Sequence, residues 1–97
     1  DVSKFPPVIR DLAIVVDRDL ALQTLKDGLK DRLPALVQDI QLFDLYAGKG
    51  VPENKKSLAF RIVMQDTQRT LQDAEVELAV HQLISCLEQA FAAQLRS

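Results

Sequence analysis

A chain of 97 residues with 47% hydrophobic and 27% charged side chains has the size and composition of one globular domain, not two. No apolar run approaches the ~20 residues of a membrane span, and the N-terminus carries no signal-peptide pattern. The net charge of −2 argues against general nucleic-acid affinity, and the single Cys86 and single His81 give no intrachain disulfide and too few ligands for a Cys/His metal site. Because the chain begins with Asp1 rather than Met, it reads as a piece of a longer polypeptide.

Residues 1–7 end in Phe5-Pro6-Pro7, an extended lead-in that cannot continue a helix. Arg10 to Asp17 is β-branched and bounded by charge, the pattern of a strand. Leu12, Ile14 and Val16 make its bulkier face and Ala13 and Val15 the other, so both faces suit a central position. Asp17 or Asp19 can cap the helix that follows. Leu22, Leu25, Leu29 and Leu33 form its amphipathic stripe, Gly28 permits a close approach to the sheet, and Pro34 ends it. Val37 to Tyr46 is the second strand. Val37, Ile40 and Leu42 do not share parity, which points to a bulge or a late start.

Gly48 to Asn54 is a Gly-, Pro- and Lys-containing turn, and Lys56 to Met64 alternates again, so the two runs make a β-hairpin. Leu58, Phe60, Ile62 and Met64 share one face of the third strand; Ser57, Ala59, Arg61 and Val63 share the other. In the second strand, Phe43 and Leu45 alternate with Asp44 and Tyr46. With the apolar sets turned to the core, Asp44, Tyr46, Ser57 and Arg61 are expected together on the opposite side. After a polar connection from Gln65 to Arg69, Thr70-Leu71-Gln72-Asp73 resembles a capping box with Asp in place of Glu, or Asp73 is itself the cap. Val76, Ala79, Val80, Leu83, Ile84, Leu87 and Phe91 then form the stripe of a long helix, with Cys86 among its apolar positions and His81 beside the stripe in solvent. Ala92 to Arg96 is a helix end or a brief fourth strand.

Strand, helix, strand, strand, helix, strand is the order of an α+β, ferredoxin-like βαββαβ two-layer sandwich: an antiparallel sheet with two helices on one face. Such a fold leaves the second face open, and an open sheet is a platform for single-stranded RNA, where aromatic rings stack splayed-out bases. Tyr46 offers the ring. Asp44, acceptor-only when ionised, suits the adjacent N1–H and 2-amino donors of guanine. Ser57 donates or accepts, and Lys49, Lys55, Lys56 and Arg61 are placed to meet phosphates. Between Lys49 and Arg69 five basic residues stand against Glu53 and Asp66, whereas from Gln72 onward only Arg96 opposes Asp73, Glu75, Glu77 and Glu88. The hairpin is thus locally positive despite the total charge. Spacing alone equally allows Tyr46 merely to end a strand and Asp44 to begin a turn.

Taken together, Arg10-Asp11-Leu12-Ala13, Leu42-Phe43-Asp44-Leu45-Tyr46, Gly48, Lys56-Ser57-Leu58-Ala59 and Arg69-Thr70-Leu71 with Glu75-Val76 closely resemble one known family. It is the ferredoxin-fold anticodon-binding domain at the C-terminus of bacterial phenylalanyl-tRNA synthetase β subunits. The resemblance runs from Phe5-Pro6 to Leu95-Arg96. It implies a parent that is a cytoplasmic α2β2 enzyme joining phenylalanine to its tRNA with ATP and magnesium. Within that parent this domain binds the tRNA-Phe anticodon, including its wobble guanine, without cofactor, metal or catalytic residues of its own. No membrane or DNA partner is implied. The family's base-contacting positions fall on Ala13, Asp44, Tyr46 and Ser57, with Ala13 required to stay small so that a nucleotide lies flat. Gln72 departs from the family, where a better helix cap is usual. Two rival classes share the topology. One is a small-ligand-sensing or dimerisation domain pairing through strand edges. The other is an acylphosphatase-like hydrolase, which wants an asparagine on the sheet, whereas Asn54 lies in the loop.

Overall fold

The structure, a computed structural model, describes residues 5–66 and 68–96. Residues 1–4 of the lead-in, Thr67 of the polar connection and Ser97 lie outside the described residues. The elements run β1 (Val8–Asp17), α1 (Leu22–Lys30), β2 (Val37–Tyr46), β3 (Lys55–Met64), α2 (Asp73–Phe91) and β4 (Gln94–Leu95). The sheet order is β2-β3-β1-β4, and each pair is antiparallel. This is the ferredoxin-like arrangement expected from the element order.

Strand periodicity decides where the core sits. Leu12, Ile14 and Val16 of β1 and Leu58, Phe60, Ile62 and Met64 of β3 are all buried, and they share one cluster with Leu25, Leu29, Val76, Ala79, Leu83 and Leu87 from the helices. Ile14, Ile62, Met64 and Leu83 are almost wholly out of water, each contributing about 1.5–3 kcal/mol of apolar burial. The alternate residues of β1 and β3 stay half-buried or exposed, Ser57 excepted. The helices therefore cover one side of the sheet only.

β2 departs from simple alternation twice. The pairing with β3 shifts between Val37 and Asp39 and again between Leu42 and Asp44. The first irregularity is the bulge foreshadowed by the uneven spacing of Val37 and Ile40; it lets Val37, Ile40 and Leu42 all oppose core residues of β3, namely Met64, Ile62 and Phe60. The second was not foreseen. It inserts Phe43 as an extra residue, so the expected inward pairing of Phe43 with Leu45 fails. Phe43 is 51% exposed and lies under the Arg61 guanidinium, 5.1 Å from its ring centroid. Leu45 returns to the core parity opposite Leu58 but is 52% exposed, being near the end of an edge strand.

Helix α1 starts later than the sequence suggests, and α2 starts between its two expected caps, Thr70 and Asp73. The N-cap of α1 is Ala21, whose side chain has no acceptor to offer. Asp17 instead closes a turn, its carbonyl accepting from the Leu20 N–H at 3.1 Å, while its carboxylate pairs with Lys55 at 2.6 Å. The helix also stops at Lys30, short of Leu33. Gly28 faces the other helix rather than the sheet: a methyl group at its Cα would overlap the Phe91 ring. For α2 the cap is Gln72, and Glu75 rather than Asp73 completes the box by accepting from the Gln72 backbone N–H at 2.8 Å. The Glu75 carboxylate is also gripped by both terminal nitrogens of Arg69, one at 2.6 Å. This bidentate hydrogen bond from Arg69, with the backbone N–H of Gln72, holds the Glu75 carboxyl below the ordinary glutamate range. The helix ends with Ala92 in the left-handed region, φ 53°, which turns the chain back into β4.

Two measurements test these packing claims. Replacing a helical glycine by alanine ordinarily gains ~1 kcal/mol, but Gly28→Ala is expected to lower the unfolding midpoint here. In a Phe91→Ala background the same change is expected to raise stability by ~1 kcal/mol; equal effects in both backgrounds would remove the role given to the ring. Because Glu75 titrates below its unfolded value, its ionic contribution is complete above the ordinary glutamate range and is lost as pH falls through the depressed folded value. Acid titrations of stability should accordingly show wild type and Glu75→Gln converging as the pH is lowered, and curves that stay parallel would exclude the effect.

Candidate nucleic-acid interface

The open face is built from the residues that alternate with the core. Ala13 on β1 is paired with Ala59 on β3, and Ala59 is opposed by Asp44 on β2. One step along, Val15, Ser57 and Tyr46 form the next row, continued by Gln94 on β4. Ala13, Asp44, Tyr46 and Ser57 are thus neighbours on one surface, as the alternation implies. The two alanines, one in each central strand, give that surface a low, partly exposed floor.

Two features raise the sides of this floor. Tyr46, 39% exposed, is fixed at its phenolic end, its hydroxyl donating to the Lys49 carbonyl at 2.7 Å. That bond folds the loop against the ring: a methyl group on Gly48 would stand 3.4 Å from the Tyr46 hydroxyl oxygen. Gly48 and Gly50 take positive φ angles, 147° and 91°, which let the loop turn this sharply. Arg96 comes from the far edge. Its backbone N–H donates to the Ala13 carbonyl at 2.8 Å, extending the β4 ladder by one residue. Its guanidinium lies 5.8 Å from the Tyr46 centroid. β2 and β4 are three strand spacings apart, about 14 Å, so the two side chains reach toward one another across the sheet. Their meeting accounts for Ser57, which sits between them and is only 5% exposed despite its place on the open face.

At the other end of the floor stands Arg61, paired with Asp11 at 3.2 Å and laid over Phe43. The remaining cations singled out in the hairpin are placed differently. Lys56 has the parity of Leu58, and its ammonium donates to the Leu20 carbonyl at 2.5 Å on the helix side; the fold does not bring it to the other site residues. Lys55 is engaged by Asp17. Lys49 is exposed in the loop, and its side chain forms no ion pair among the described residues. Neither does Arg96, whose positive charge is held over an aromatic ring. Sequence reasoning counted Arg96 only as one charge in an acidic segment. The signal for its role is tertiary, since fifty residues of chain separate it from Tyr46. Phe43 was likewise missed, because simple alternation places it in the core.

What the surface offers chemically is a flat apolar floor, one acceptor-only carboxylate at its edge, a ring and guanidinium at one end, and a second ring and guanidinium at the other. No three Asp, Glu, His or Cys side chains converge on a metal-sized position among the described residues. Among those residues, too, no helix is long and apolar enough to cross a membrane.

The chain is similar along its whole length to parts of larger proteins. Over 97 residues it is 76% identical to a protein named phenylalanine–tRNA ligase beta subunit from Dechloromonas aromatica. Proteins of the same name from Nitrosospira multiformis and Aquifex aeolicus are 46% and 36% identical over 97 residues. In each case all of this chain is covered but only 12% of the relative. The profile of the family described as the ferredoxin-fold anticodon binding domain matches residues 3–96. With that match spanning nearly every residue and the sheet topology in agreement, the chain belongs to the ferredoxin-fold anticodon-binding domain family.

Proposed function

We propose that this domain recognises the anticodon of tRNA-Phe as part of a phenylalanine–tRNA ligase β subunit. The observation that carries the reading is the row Asp44, Ala59 and Ala13: a carboxylate at the edge of a floor wide and low enough for a base. A guanine lying on the two alanines turns its N1–H and 2-amino donors toward Asp44, and the ionised carboxylate accepts both. Adenine and the pyrimidines present fewer adjacent donors and leave the carboxylate under-satisfied. Tyr46 and the Arg96 guanidinium supply the stacking surface at one side. Ser57, whose hydroxyl makes no side-chain hydrogen bond among the described residues, is 5% exposed and adds a polar contact once the base parts Tyr46 from Arg96. Lys49, Arg61 and Arg96 attract the ribose-phosphate backbone, a contribution to affinity rather than to base choice. Lys56 is not given a role in this arrangement, since Leu20 holds its ammonium on the helix side.

The parent assembly implied by this reading is a cytoplasmic α2β2 enzyme that uses ATP and magnesium to join phenylalanine to its tRNA. Its aminoacylation chemistry belongs outside this domain, which contributes the binding of RNA. The rival reading, a domain that pairs through its strand edges, has poor edges to work with. β2 is interrupted by two register shifts and β4 is two residues long, and bulged or short edges resist edge-to-edge pairing.

Binding of a tRNA-Phe anticodon stem-loop to this chain tests the reading. Asp44→Asn and Tyr46→Ala are each expected to weaken binding by ~1–3 kcal/mol, the loss of one base contact or one stacked base. Asp44→Asn should also reduce the preference for guanine over adenine at the wobble position. If both variants bind like wild type, the assignment is wrong. A titration over ionic strength separates the backbone contacts: Arg96→Gln is expected to lower the slope of log K against log salt by about 1. An unchanged slope would confine Arg96 to packing against Tyr46.

A further inference from the structure

The bulge in β2 leaves a large ring in water. A buried phenylalanine strengthens a core, yet this residue is turned onto the open face and remains 51% exposed. Nor is the ring loose. Arg61 covers it at 5.1 Å from the centroid, and Asp11 anchors Arg61 at 3.2 Å, so ring and guanidinium form one fixed ledge. Gln41, the β3-facing neighbour in the same row, is itself tied to Asp39 at 2.9 Å.

The position of this ledge is what makes it informative. Phe43 is the extra residue beside Asp44, set between the Leu42–Phe60 and Asp44–Ala59 pairs. Arg61 is two residues from Ala59 on the same face, about 7 Å along the strand. Tyr46 flanks the alanine floor in the opposite direction, its partner Ser57 being two residues from Ala59 the other way. The floor therefore has a ring at each end, and each ring carries an arginine. A stretched strand of RNA whose middle base lay on the floor would bring a neighbouring base to Phe43.

We propose that Phe43, with Arg61 laid over it, is a second stacking platform, which takes the base of the nucleotide next to the one read by Asp44, on the side away from Tyr46. This inference rests on the RNA reading of the same face. Stacking on a ring reads no base edge, so the platform accepts any base, with purines favoured for their larger π surface. A planar guanidinium stacks on a base as readily as on the phenyl ring and carries a charge toward the adjoining phosphate. A protein partner is the less favoured occupant. The ring is continuous with the alanine floor and the Asp44 carboxylate, and the cation over it complements a phosphate backbone.

The experiment places 2-aminopurine in turn at each position of the tRNA-Phe anticodon loop and follows its fluorescence with wild type, Phe43→Leu and Phe43→Ala. Wild type should quench the reporter next to the wobble guanine. Both variants should lose that quenching and bind about five- to a hundredfold more weakly, the range for one stacked base. An RNA lacking the base at that position should bind wild type and Phe43→Leu alike. Phe43→Leu keeps an apolar side chain of similar size, and thermal melts confirm that both variants are folded. Wild-type quenching and affinity in both variants, with Asp44→Asn still weakened, would overturn the second platform and leave the first reading standing. A penalty that persists with the base-less RNA would overturn it by assigning Phe43 a role within the protein. Failure of wild type to bind the stem-loop at all would overturn both readings.

Discussion

The one-sided core governs everything else in this domain. Leu12, Ile14 and Val16, with Leu58, Phe60, Ile62 and Met64, satisfy the two helices from the same side of the sheet. Because a strand turns successive side chains to opposite faces, each of these residues commits its neighbours to the other side. Ala13, Ser57, Ala59 and Arg61 stand on the open face as a consequence of what the core requires, not through any separate determinant of their own. A one-residue slip of β1 against β3 would turn over the side chains of the strand that moved and place Asp11 of β1, or Arg61 of β3, under the helices. The apolar demand of α1 and α2 thus fixes the register, and the register fixes the site.

β2 adds what strict alternation cannot. An extra residue in a central strand disrupts two ladders, whereas in an edge strand it disrupts one. Here the edge position admits two irregularities, and they have different consequences. The first lets Val37, Ile40 and Leu42 all serve the core in spite of their uneven spacing. The second inserts Phe43 between the Leu42–Phe60 and Asp44–Ala59 pairs, setting a ring beside a carboxylate where a regular strand would present one side chain. The same interruptions leave β2 a poor template for another strand, which keeps the edge free and the open face accessible.

The electrostatics of the face follow from which cations are already engaged. Lys55 is taken by Asp17, Lys56 by the Leu20 carbonyl, and Arg69 by Glu75 and Asp66 at the start of α2. Arg61 is shared between Asp11 and the Phe43 ring. What is left toward the Tyr46 end is Lys49 in the loop and Arg96 over the ring. A net charge of −2 for the whole chain is therefore compatible with a locally positive rim, because the acids of α2 lie on the helix layer while Lys49 and Arg96, which form no ion pair among the described residues, do not.

How much of this was legible from the residues alone can be traced position by position. Period-two and helical spacings, which depend only on local backbone geometry, pointed to the element order, the two-layer architecture, the core residues of β1 and β3, and the grouping of Asp44, Tyr46, Ser57 and Arg61, to which the family resemblance added Ala13. The irregular parity of Val37, Ile40 and Leu42 announced the first bulge. Nothing local announced the second: Phe43 alternates with Asp44 as a core residue should, and only its pairing with β3 shows the extra residue. The start of α1 falls beyond both acidic cap candidates, with Asp17 paired instead to Lys55 on the neighbouring strand, and Gly28 met Phe91 because the helices, distant in sequence, lie against each other. Arg96 is the sharpest case. Its place over Tyr46 requires β4 and β2 to flank the two central strands, a relation between chain segments that no spacing along the sequence encodes.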